Sequence, residues 1–506
     1  MIDIDSSILQ FVPKGAFYNT EHEQVKKMES LWEQFMGFDR TIFALSSLLH
    51  GTAYSKGRMS HMLLSNPLTA KDTKAIVPLG LDGSFESKVI LFNLGKETMP
   101  RALKNLIMLA GGKKNKGKRP FKKVNNARTR KIILQFIFNR DINSLESMAI
   151  KYKKKLRELV THAIGTIDVT KMLNGYREGI EIYDRYIGRW NQAALNVVKH
   201  LFDLYTPGAS TKLDAYYHAR EAAKIGDVDR FTVLASRLPF EVAMGFRNSY
   251  KLDVPIADLM KLTQMTDRQK VQSQSAAKRV GAKIEVDYTK QDIYDLFKLF
   301  YQQVLSGEGD NLDKIAEALH GKAEEKQDIN FGESVVVIDA SRSMEGSEKR
   351  PLHPFLTAMC AAWTLKNVVK VIYVGGRFMR TGCDELKRLP VPSGPSPLWR
   401  GLLEAAILNP ETIIVISDGY ENAIKGMFNQ VYEHFTDQGF KFNLVHINPV
   451  FAAEARGARR LVPDLKPLVL ADHKYLETSF VFDLLQSHQD QVRQLLANKY
   501  KALIGK

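Results

Sequence analysis

The chain has 506 residues, of which 44% are apolar and 25% charged, a composition typical of a globular protein long enough for several domains. The acidic start, with Asp3 and Asp5, and the lack of any apolar run of about 18 residues predict neither a signal peptide nor a membrane helix. Two cysteines, Cys360 and Cys383, are too few for a disulfide framework, so we expect a cytoplasmic protein.

The formal net charge of +16 is unevenly distributed along the chain. Residues 331–506 have a net charge of about +3, which leaves about +13 for residues 1–330. Because concentrated positive charge attracts polyphosphates, the N-terminal part is expected to have a polyanionic partner.

Apolar residues recur at three- and four-residue spacing over most of the first 320 residues, which predicts helices. Proline and glycine separate these segments, and strand patterns are rare. The pattern favours stacked helix pairs, a HEAT-like repeat module over residues 1–325. The predicted helices are 21–36, 39–49, 100–110, 129–138, 142–163, 183–204, 213–225, 228–234, 255–262, 267–282 and 290–305.

A charged segment, 322–328, marks the predicted boundary, and residues 326–506 form the second predicted domain. Strand and helix patterns alternate there, which predicts a parallel sheet covered by helices on both faces. The fold class is therefore α followed by α/β. The predicted strands are 334–338, 368–374, 412–416, 441–447 and 467–470, and the predicted helices are 352–366, 398–408, 423–434 and 480–496.

The first strand of this second domain leads into a candidate metal site. Its β-branched run ends in Asp-x-Ser-x-Ser, and downstream come a Gly-Pro-Ser-Pro loop and a second apolar run that ends in Ser-Asp-Gly. Ligands of open parallel sheets bind at the carboxyl ends of the strands, and carboxylate and hydroxyl oxygens suit Mg²⁺ or another divalent cation. The predicted metal ligands are Asp339, Ser341, Ser343, Ser396 and Asp418.

These five positions, in this order, resemble the metal-ion-dependent adhesion site of the von Willebrand factor A family. This chain has Ser396 where that family usually has threonine, which retains the hydroxyl. The resemblance implies a doubly wound domain of that type, whose metal takes an acidic residue of a protein partner in its open position. The residues alone leave an alternative, in which Asp339 and Asp418 merely cap helices or turns.

Two basic clusters lie in the helical part. Residues 101–131 contain about twelve Lys or Arg and no Asp or Glu, with a Gly- and Pro-containing loop at the centre. The second cluster, 151–157, lies on a predicted helix and includes Tyr152, which could stack on a base. Charge runs are often only solvated faces, but two clusters in one domain favour nucleic acid. The predicted RNA-binding residues are Lys113, Lys114, Lys116, Lys118, Arg119, Lys122, Lys123, Arg128, Arg130, Lys151, Lys153, Lys155, Arg157 and His162.

Helical repeats followed by a von Willebrand factor A domain resemble the Ro ribonucleoprotein autoantigen family, which has the TROVE-plus-von-Willebrand-A architecture. Residues 149–153 and 159–162 are similar to that family's Lys-Tyr-Lys stretch and the Ser-His after it, and 238–241 to its Leu-Pro-Arg-Glu. The family's Gly-Trp-Ser-His-Arg-Asp segment is missing here. The resemblance implies that the helices close into a ring, with small noncoding RNA on its outer surface and single-stranded ends of misfolded RNA in its hole. It also implies that Lys151, Lys155 and His162 face RNA.

We therefore expect an RNA-binding ribonucleoprotein scaffold without catalytic residues. The alternative is a metal-dependent adaptor that recruits an acidic protein partner and binds no RNA. A metal-dependent phosphatase or nuclease is less favoured, because haloacid-dehalogenase enzymes have a second Asp where this chain has Ser341, and no complete phosphate-binding loop, Gly-x-x-x-x-Gly-Lys followed by Ser or Thr, occurs. His162 has an alternative too, since a lone histidine near a helix end is often structural.

Overall fold

The contacts in the computed structural model divide the chain into two compact units. The sheet unit combines residues 1–55 with 288–499, and the helical unit combines residues 56–287 with 500–506. This division differs from the single boundary expected at residue 325, because helical periodicity does not reveal which unit buries a helix. The structure describes residues 5–13, 21–112, 121–174, 192–208, 210–263, 265–279, 285–307, 311–325, 329–348, 350–381, 383, 386, 388–450 and 459–505.

The sheet unit begins with three helices, α1 (Ser7–Gln10), α2 (Glu21–Phe38) and α3 (Arg40–Ser46). In α2, Phe35 is fully buried and packs edge-on against Phe482, with ring centroids 5.7 Å apart. The carboxamide of Gln10 donates to the carbonyl of Val469 (3.0 Å) and accepts from the N–H of Ala471 (2.8 Å). These contacts join residues 1–55 to the later part of the sheet unit in one core.

The helical unit is built from helices that have capping residues at their ends and bury their apolar faces. Thr211 and Asp214 form a reciprocal capping box at the start of one helix, which ends at Gly226 in a left-handed conformation, φ +76°. Its helices are α4 (Ala53–Ser65, beginning in the sheet unit), α5 (Ala70–Ile76), α6 (Phe85–Lys96), α7 (Met99–Leu109), α8 (Ala127–Phe138), α9 (Ile142–Ile164), α10 (Thr166–Leu173), α11 (Gln192–Leu201), α12 (Lys212–Ile225), α13 (Val228–Ala235), α14 (Phe240–Ser249), α15 (Ile256–Leu262) and α16 (Asp267–Arg279).

The C-terminal part of the sheet unit alternates strands and helices, as predicted. Its helices are α17 (Ile293–Ser306), α18 (Leu312–Glu324), α19 (His353–Thr364), α20 (Leu398–Ile407), α21 (Met427–Asp437), α22 (Leu476–Leu485) and α23 (Gln489–Ile504, ending in the helical unit). Its strands are β1 (Ser334–Asp339), β2 (Gly346–Ser347), β3 (Arg350–Pro351), β4 (Val368–Val374), β5 (Arg377–Arg380), β6 (Arg388–Val391), β7 (Thr412–Ile416), β8 (Asn443–Asn448) and β9 (Leu468–Val469).

Five strands form one parallel sheet in the order β4-β1-β7-β8-β9. Numbered by their position along the chain, these strands have the order 2-1-3-4-5, so the winding direction reverses between β1 and β7. Val335 and Val337 pack with Leu402 of α20 and Phe428 of α21 on one face. The alternate β1 residues have no exposed surface either, so both faces are covered. The predicted α/β class is confirmed at this level.

The sequence did not predict helices α1, α4, α5, α6, α10, α14 and α18 or the short strands β2, β3, β5 and β6, and the region predicted as one helix at 480–496 contains two, α22 and α23. Helix α18 also extends into the predicted charged hinge, whose residues 326–328 lie outside the described part of the chain. In the predicted helix 183–204, residues 183–191 lie outside it as well, and α11 is the described remainder. In α18 the helical period was present in the sequence, since the buried Leu312, Ile315, Ala316 and Leu319 are spaced as on one face of a helix.

The close packing of α20 on the sheet gives a stability test. A Cβ atom at Gly401 would lie 2.5 Å from methyl carbons of both Val337 and Val374. We expect Gly401→Ala to lower the free energy of unfolding by about 1–3 kcal/mol through overpacking. Gly321→Ala on α18, where nothing lies within 4 Å, should instead raise it by about 0.5–1 kcal/mol. Urea unfolding of the full chain measures both, and equal effects would contradict the packing argument.

Candidate metal centre and basic surface

The predicted metal ligands lie at the carboxyl edge of the parallel sheet. Asp339 is the last residue of β1, and Asp418 follows the end of β7 by two residues. These neighbouring strands border the point where the winding direction reverses, which is where open parallel sheets bind ligands. The topology therefore puts both carboxylates at one crevice.

Backbone hydrogen bonds hold the loop of Ser396 against the turn after β1. The N–H of Ser393 donates to the carbonyl of Ala340 (2.9 Å), and the N–H of Arg342 donates to the carbonyl of Gly394 (3.0 Å). Gly375, with φ +76°, makes room for this approach, since a Cβ there would lie 2.7 Å from the carbonyl oxygen of Pro395. The loop is thus fixed beside the Asp-x-Ser-x-Ser turn.

Asp339 is the buried centre of the site, with no exposed surface. One carboxylate oxygen accepts from the N–H of Ser341 (2.9 Å), and the other accepts from the hydroxyl of Ser417 (2.8 Å). Burial, the largest influence, raises the pKa of Asp339; hydrogen bonds from Ser341 and Ser417 oppose this, and the charge of Asp418 adds to it. The ionised carboxylate therefore lacks adequate solvation and would gain from a cation.

Two hydroxyls of the site are in contact with each other, and a third hydroxyl is unsatisfied. Ser341 Oγ lies 3.1 Å from Ser343 Oγ. Ser396 is 1% exposed, and its hydroxyl has no hydrogen-bond partner among the described residues, while its N–H donates to Asn422 Oδ1 (2.6 Å). A buried hydroxyl without a partner costs about 1–3 kcal/mol, which metal coordination would offset.

The donor set fits a hard divalent cation. It contains two carboxylates, Asp339 and Asp418, and three hydroxyls, all oxygen ligands of the kind that Mg²⁺ takes together with water. In the described part of the chain, no group of three or more His, Cys, Asp and Glu side chains is placed to hold a metal ion. A soft or imidazole-rich site is therefore not what this edge offers.

Sequence reasoning missed three residues of this site. Ser417 donates to Asp339, and its position directly before the strand-end Asp418 was a usable signal. Asn422 accepts from the N–H of Ser396, and no local pattern pointed to it. His446 on β8 also reaches the site, with Nε2 3.1 Å from the carbonyl of Ser417, and burial lowers its pKa to about 4.

The predicted RNA-binding residues of the first basic cluster have varied surroundings. Lys122 and Lys123 are exposed. Arg128 donates to the fully buried Glu86 (2.8 Å) and to the carbonyl of Leu63, so it stabilises the fold. Arg130 donates to Asn125 Oδ1 (2.9 Å). Outside the described residues lie Lys113, Lys114, Lys116, Lys118 and Arg119.

The second cluster lies on α9, where most of its charges have acidic partners. Lys151 pairs with Glu241 (2.9 Å), and both Lys153 and Arg157 pair with Asp203. Lys155 is exposed. His162 Nε2 lies 3.0 Å from the carbonyl of Val124, a contact that favours its structural alternative.

The division into units sharpens the charge asymmetry. The helical unit has 44 Lys and Arg against 22 Asp and Glu, a net charge of +22, and the sheet unit has 28 against 34, a net charge of −6; the two give the +16 of the whole chain. Acidic segments before residue 55 and after residue 288 had masked this contrast. The positive charge therefore belongs to one compact unit.

Comparison with known proteins adds no assignment: no model of a protein family matches the chain, and no curated protein matches it. None of the described helices is both long and apolar enough to cross a lipid bilayer.

The candidate centre predicts a metal-dependent gain in stability. Millimolar Mg²⁺ should raise the unfolding temperature by mass action. Asp339→Asn should abolish the shift, and Ser396→Ala should weaken Mg²⁺ affinity by about tenfold or more. Differential scanning fluorimetry measures the shift. Ser347→Ala, at an exposed hydroxyl of the same unit, is the control and should leave it unchanged; a shift that persists in Asp339→Asn would count against the site.

The same shift should depend on pH. The raised pKa of Asp339 means that the folded chain binds this proton more tightly than the unfolded chain, so without metal the ionised group lowers stability at neutral pH. Mg²⁺ competes with that proton, and its stabilising effect should shrink as the pH falls towards the raised pKa. A Mg²⁺-induced shift that keeps a constant size from neutral pH down to the pH at which acid unfolds the protein would contradict this.

Proposed function

We propose that this protein is an RNA-binding scaffold, in which the helical unit holds RNA and the edge of the sheet holds Mg²⁺. The observation that carries the RNA proposal is the net charge of +22 on the helical unit against −6 on the sheet unit. The positive charges of the helical unit repel one another, and a bound polyphosphate would neutralise them. Binding would also release the counterions of the polyphosphate, which favours association. Small noncoding or misfolded RNA is the proposed class, on the resemblance to the Ro family.

The finer fold assignment is part of the same proposal. The helical unit would be a HEAT-like module of the TROVE type, and the sheet would be a von Willebrand factor A domain. The supporting features are the order of motifs along the chain and the five-ligand pattern at the switch between β1 and β7. The ring closure implied by the Ro resemblance also stays a proposal.

Asp339, Ser341, Ser343, Ser396 and Asp418 would hold the metal. When bound, Mg²⁺ would supply a hard Lewis acid with room for one further oxygen ligand. The chain's own contribution is to bury Asp339, to hydrogen-bond both of its carboxylate oxygens and to present the three hydroxyls. The metal would then stabilise the sheet edge or accept a carboxylate of a protein partner.

We propose binding and not catalysis, in a reducing cytoplasm. Cys360 and Cys383 are buried and not joined by a disulfide. Burial raises the pKa of the Cys360 thiol well above its ordinary value, which disfavours the thiolate that a nucleophile needs. The hydroxyl-rich metal edge also lacks the second aspartate of the phosphatase alternative.

RNA binding should be electrostatic and should belong to the helical unit. The full chain is titrated into a labelled single-stranded RNA at several salt concentrations, with fluorescence anisotropy as the readout. We expect the logarithm of the affinity to fall steeply and linearly with the logarithm of salt concentration. The combined variant Lys122→Gln, Lys123→Gln, Lys154→Gln and Lys155→Gln should bind about tenfold more weakly and lower the slope by about 0.7 for each phosphate that is no longer neutralised.

The control is Lys425→Gln with Lys441→Gln, which removes exposed lysines from the sheet unit and should change the affinity little. Asp339→Asn should leave RNA affinity unchanged as well. Binding that is absent, or insensitive to salt, would overturn the RNA proposal.

A second candidate function, the metal-dependent adaptor, is favoured by the unsatisfied Ser396 hydroxyl at the sheet edge. It predicts a protein partner that copurifies with the full chain in Mg²⁺ and is lost both in EDTA and in Asp339→Ala. Mass spectrometry of copurified proteins, with nuclease treatment to remove RNA bridges, tests this. A partner set that is unchanged by EDTA and by Asp339→Ala would exclude the adaptor.

A further inference from the structure

Asp203 has an unusual backbone conformation for its residue type. It follows α11 with φ +64°, in a left-handed turn where Leu204 N–H donates to the carbonyl of Lys199 (2.8 Å) and Asp203 N–H to that of His200 (3.3 Å). This pattern is a helix-ending motif that usually has glycine at the Asp203 position. A non-glycine residue in a strained conformation suggests that its side chain is needed there.

The Asp203 carboxylate bridges two cations of α9. It lies 2.5 Å from Lys153 Nζ and 3.0 Å from Arg157 Nη1, and its side chain is 64% exposed. Lys153 and Arg157 are four residues apart, so both project from one side of the helix. We call these two residues the phosphate seat, because an exposed carboxylate between two cations occupies the position that a phosphate would prefer.

The exchange of Asp203 for a phosphate is favourable on physical grounds. Exposed ion pairs contribute little stability, so opening them costs little. A phosphate offers more acceptor oxygens than a carboxylate, and a guanidinium can bind it through two parallel hydrogen bonds. The carboxylate is therefore a weak internal competitor for the seat.

Aromatic rings lie beside the phosphate seat. The Arg157 guanidinium lies 5.1 Å from the ring centre of Phe202. Two residues after Asp203, Tyr205 stacks on Tyr217, with ring centroids 5.6 Å apart and an interplanar angle of 29°. Both tyrosines are half-buried. We call them the tyrosine pair.

Hydrogen bonds fix the tyrosine pair in place. The Tyr205 hydroxyl donates to Asp214 Oδ1 (2.7 Å), and the Tyr217 hydroxyl lies 3.1 Å from Nδ1 of the buried His200. Burial, the largest influence, raises the pKa of Tyr217, and the negative charge of Asp203 contributes to the rise. Rings held in this way lose little freedom when a base stacks on them.

We propose that the phosphate seat and the tyrosine pair together form a nucleotide subsite for single-stranded RNA, with Asp203 as its built-in competitor. The RNA phosphate displaces Asp203 from Lys153 and Arg157, and the adjacent base stacks on the tyrosine pair. Alternating phosphate contacts and ring stacking is how single strands are held without sequence preference. This subsite rests on the proposed RNA function, and it adds to that function Asp203, a residue that weakens RNA binding.

The decisive variant is Asp203→Asn in the full chain, tested with a fluorescein-labelled oligouridylate of about 12 nucleotides, within the range that single-strand sites span, by anisotropy. Asparagine tolerates the left-handed conformation, so the fold is kept. Removing the competitor should tighten binding about fivefold, in keeping with a charge-assisted contact freed for the ligand. The control is Asp82→Asn, since Asp82 is 59% exposed, lies in the same unit and pairs with Lys88 at 2.8 Å.

Two further arms separate the seat from the rings. Lys153→Gln with Arg157→Gln should weaken binding and cancel the gain from Asp203→Asn, as a double-mutant cycle reveals. Tyr217→Leu should weaken binding about tenfold. Tyr217→Phe keeps the ring but loses the hydroxyl contact with His200, so it should weaken binding less than Tyr217→Leu does. Phe92→Leu, at a half-buried ring near Lys96 elsewhere in the unit, is the control and should not alter affinity.

Each outcome bears on a separate step. Equal gains in RNA affinity from Asp203→Asn and Asp82→Asn would mean that Asp203 acts only through the net charge of the unit. That result would overturn the phosphate seat. Native affinity in Tyr217→Leu would overturn the base platform. If instead the native chain binds RNA with a steep salt dependence and none of these variants alters the affinity, the subsite fails while the proposed function stands; if the native chain binds no RNA, both fail.

Discussion

The sheet unit depends on the placement of one carboxylate, Asp339, at the carboxyl end of the interior strand β1. Because this group has no exposed surface, it cannot be solvated as it would be at the surface of the protein. A backbone N–H and the Ser417 hydroxyl satisfy its two oxygens but bring no full positive charge. In the proposed metal centre, the hydroxyls of Ser341, Ser343 and Ser396 would be further ligands of a small cation that supplies this charge.

The strands of this edge and the positions of Asp339 and Asp418 at their ends were predictable because both signals are local, whereas metal binding there stays a prediction. Continuous β-branched runs fixed β1, β4 and β7 within one residue, and the rule that ligands bind at carboxyl ends brought Asp339 and Asp418 together. The roles of Ser417 and Asn422 were not predictable in the same way, since they arise only when distant loops meet. Helices such as α14 were missed because tertiary packing, and not periodicity, holds them.

The unit boundaries change the electrostatic argument as well as the fold. Read along the chain, the excess charge is about +13 before residue 331 and about +3 after it. Once the acidic segments 1–55 and 288–325 are counted with the sheet, the helical unit alone has +22 and the sheet unit is negative. The order of residues along the chain does not reveal this division of charge, because the chain leaves the sheet unit after its first 55 residues and returns to it later. The proposed preference for a polyanion therefore rests on the contacts that define the two units as well as on the composition of the chain.

Asp203 and Asp339 show how placement decides which cation a carboxylate takes. Asp203 is exposed, so two long basic side chains reach it and a phosphate can compete with it in water. Asp339 is enclosed, and hydroxyl and amide groups already surround it, so a small ion without a carbon stem suits it better than lysine or arginine. Salt screens the first kind of interaction strongly and the second weakly, whereas chelation acts on the second alone. The proposed RNA binding and the proposed metal binding should therefore respond to different solution conditions and be independent of each other.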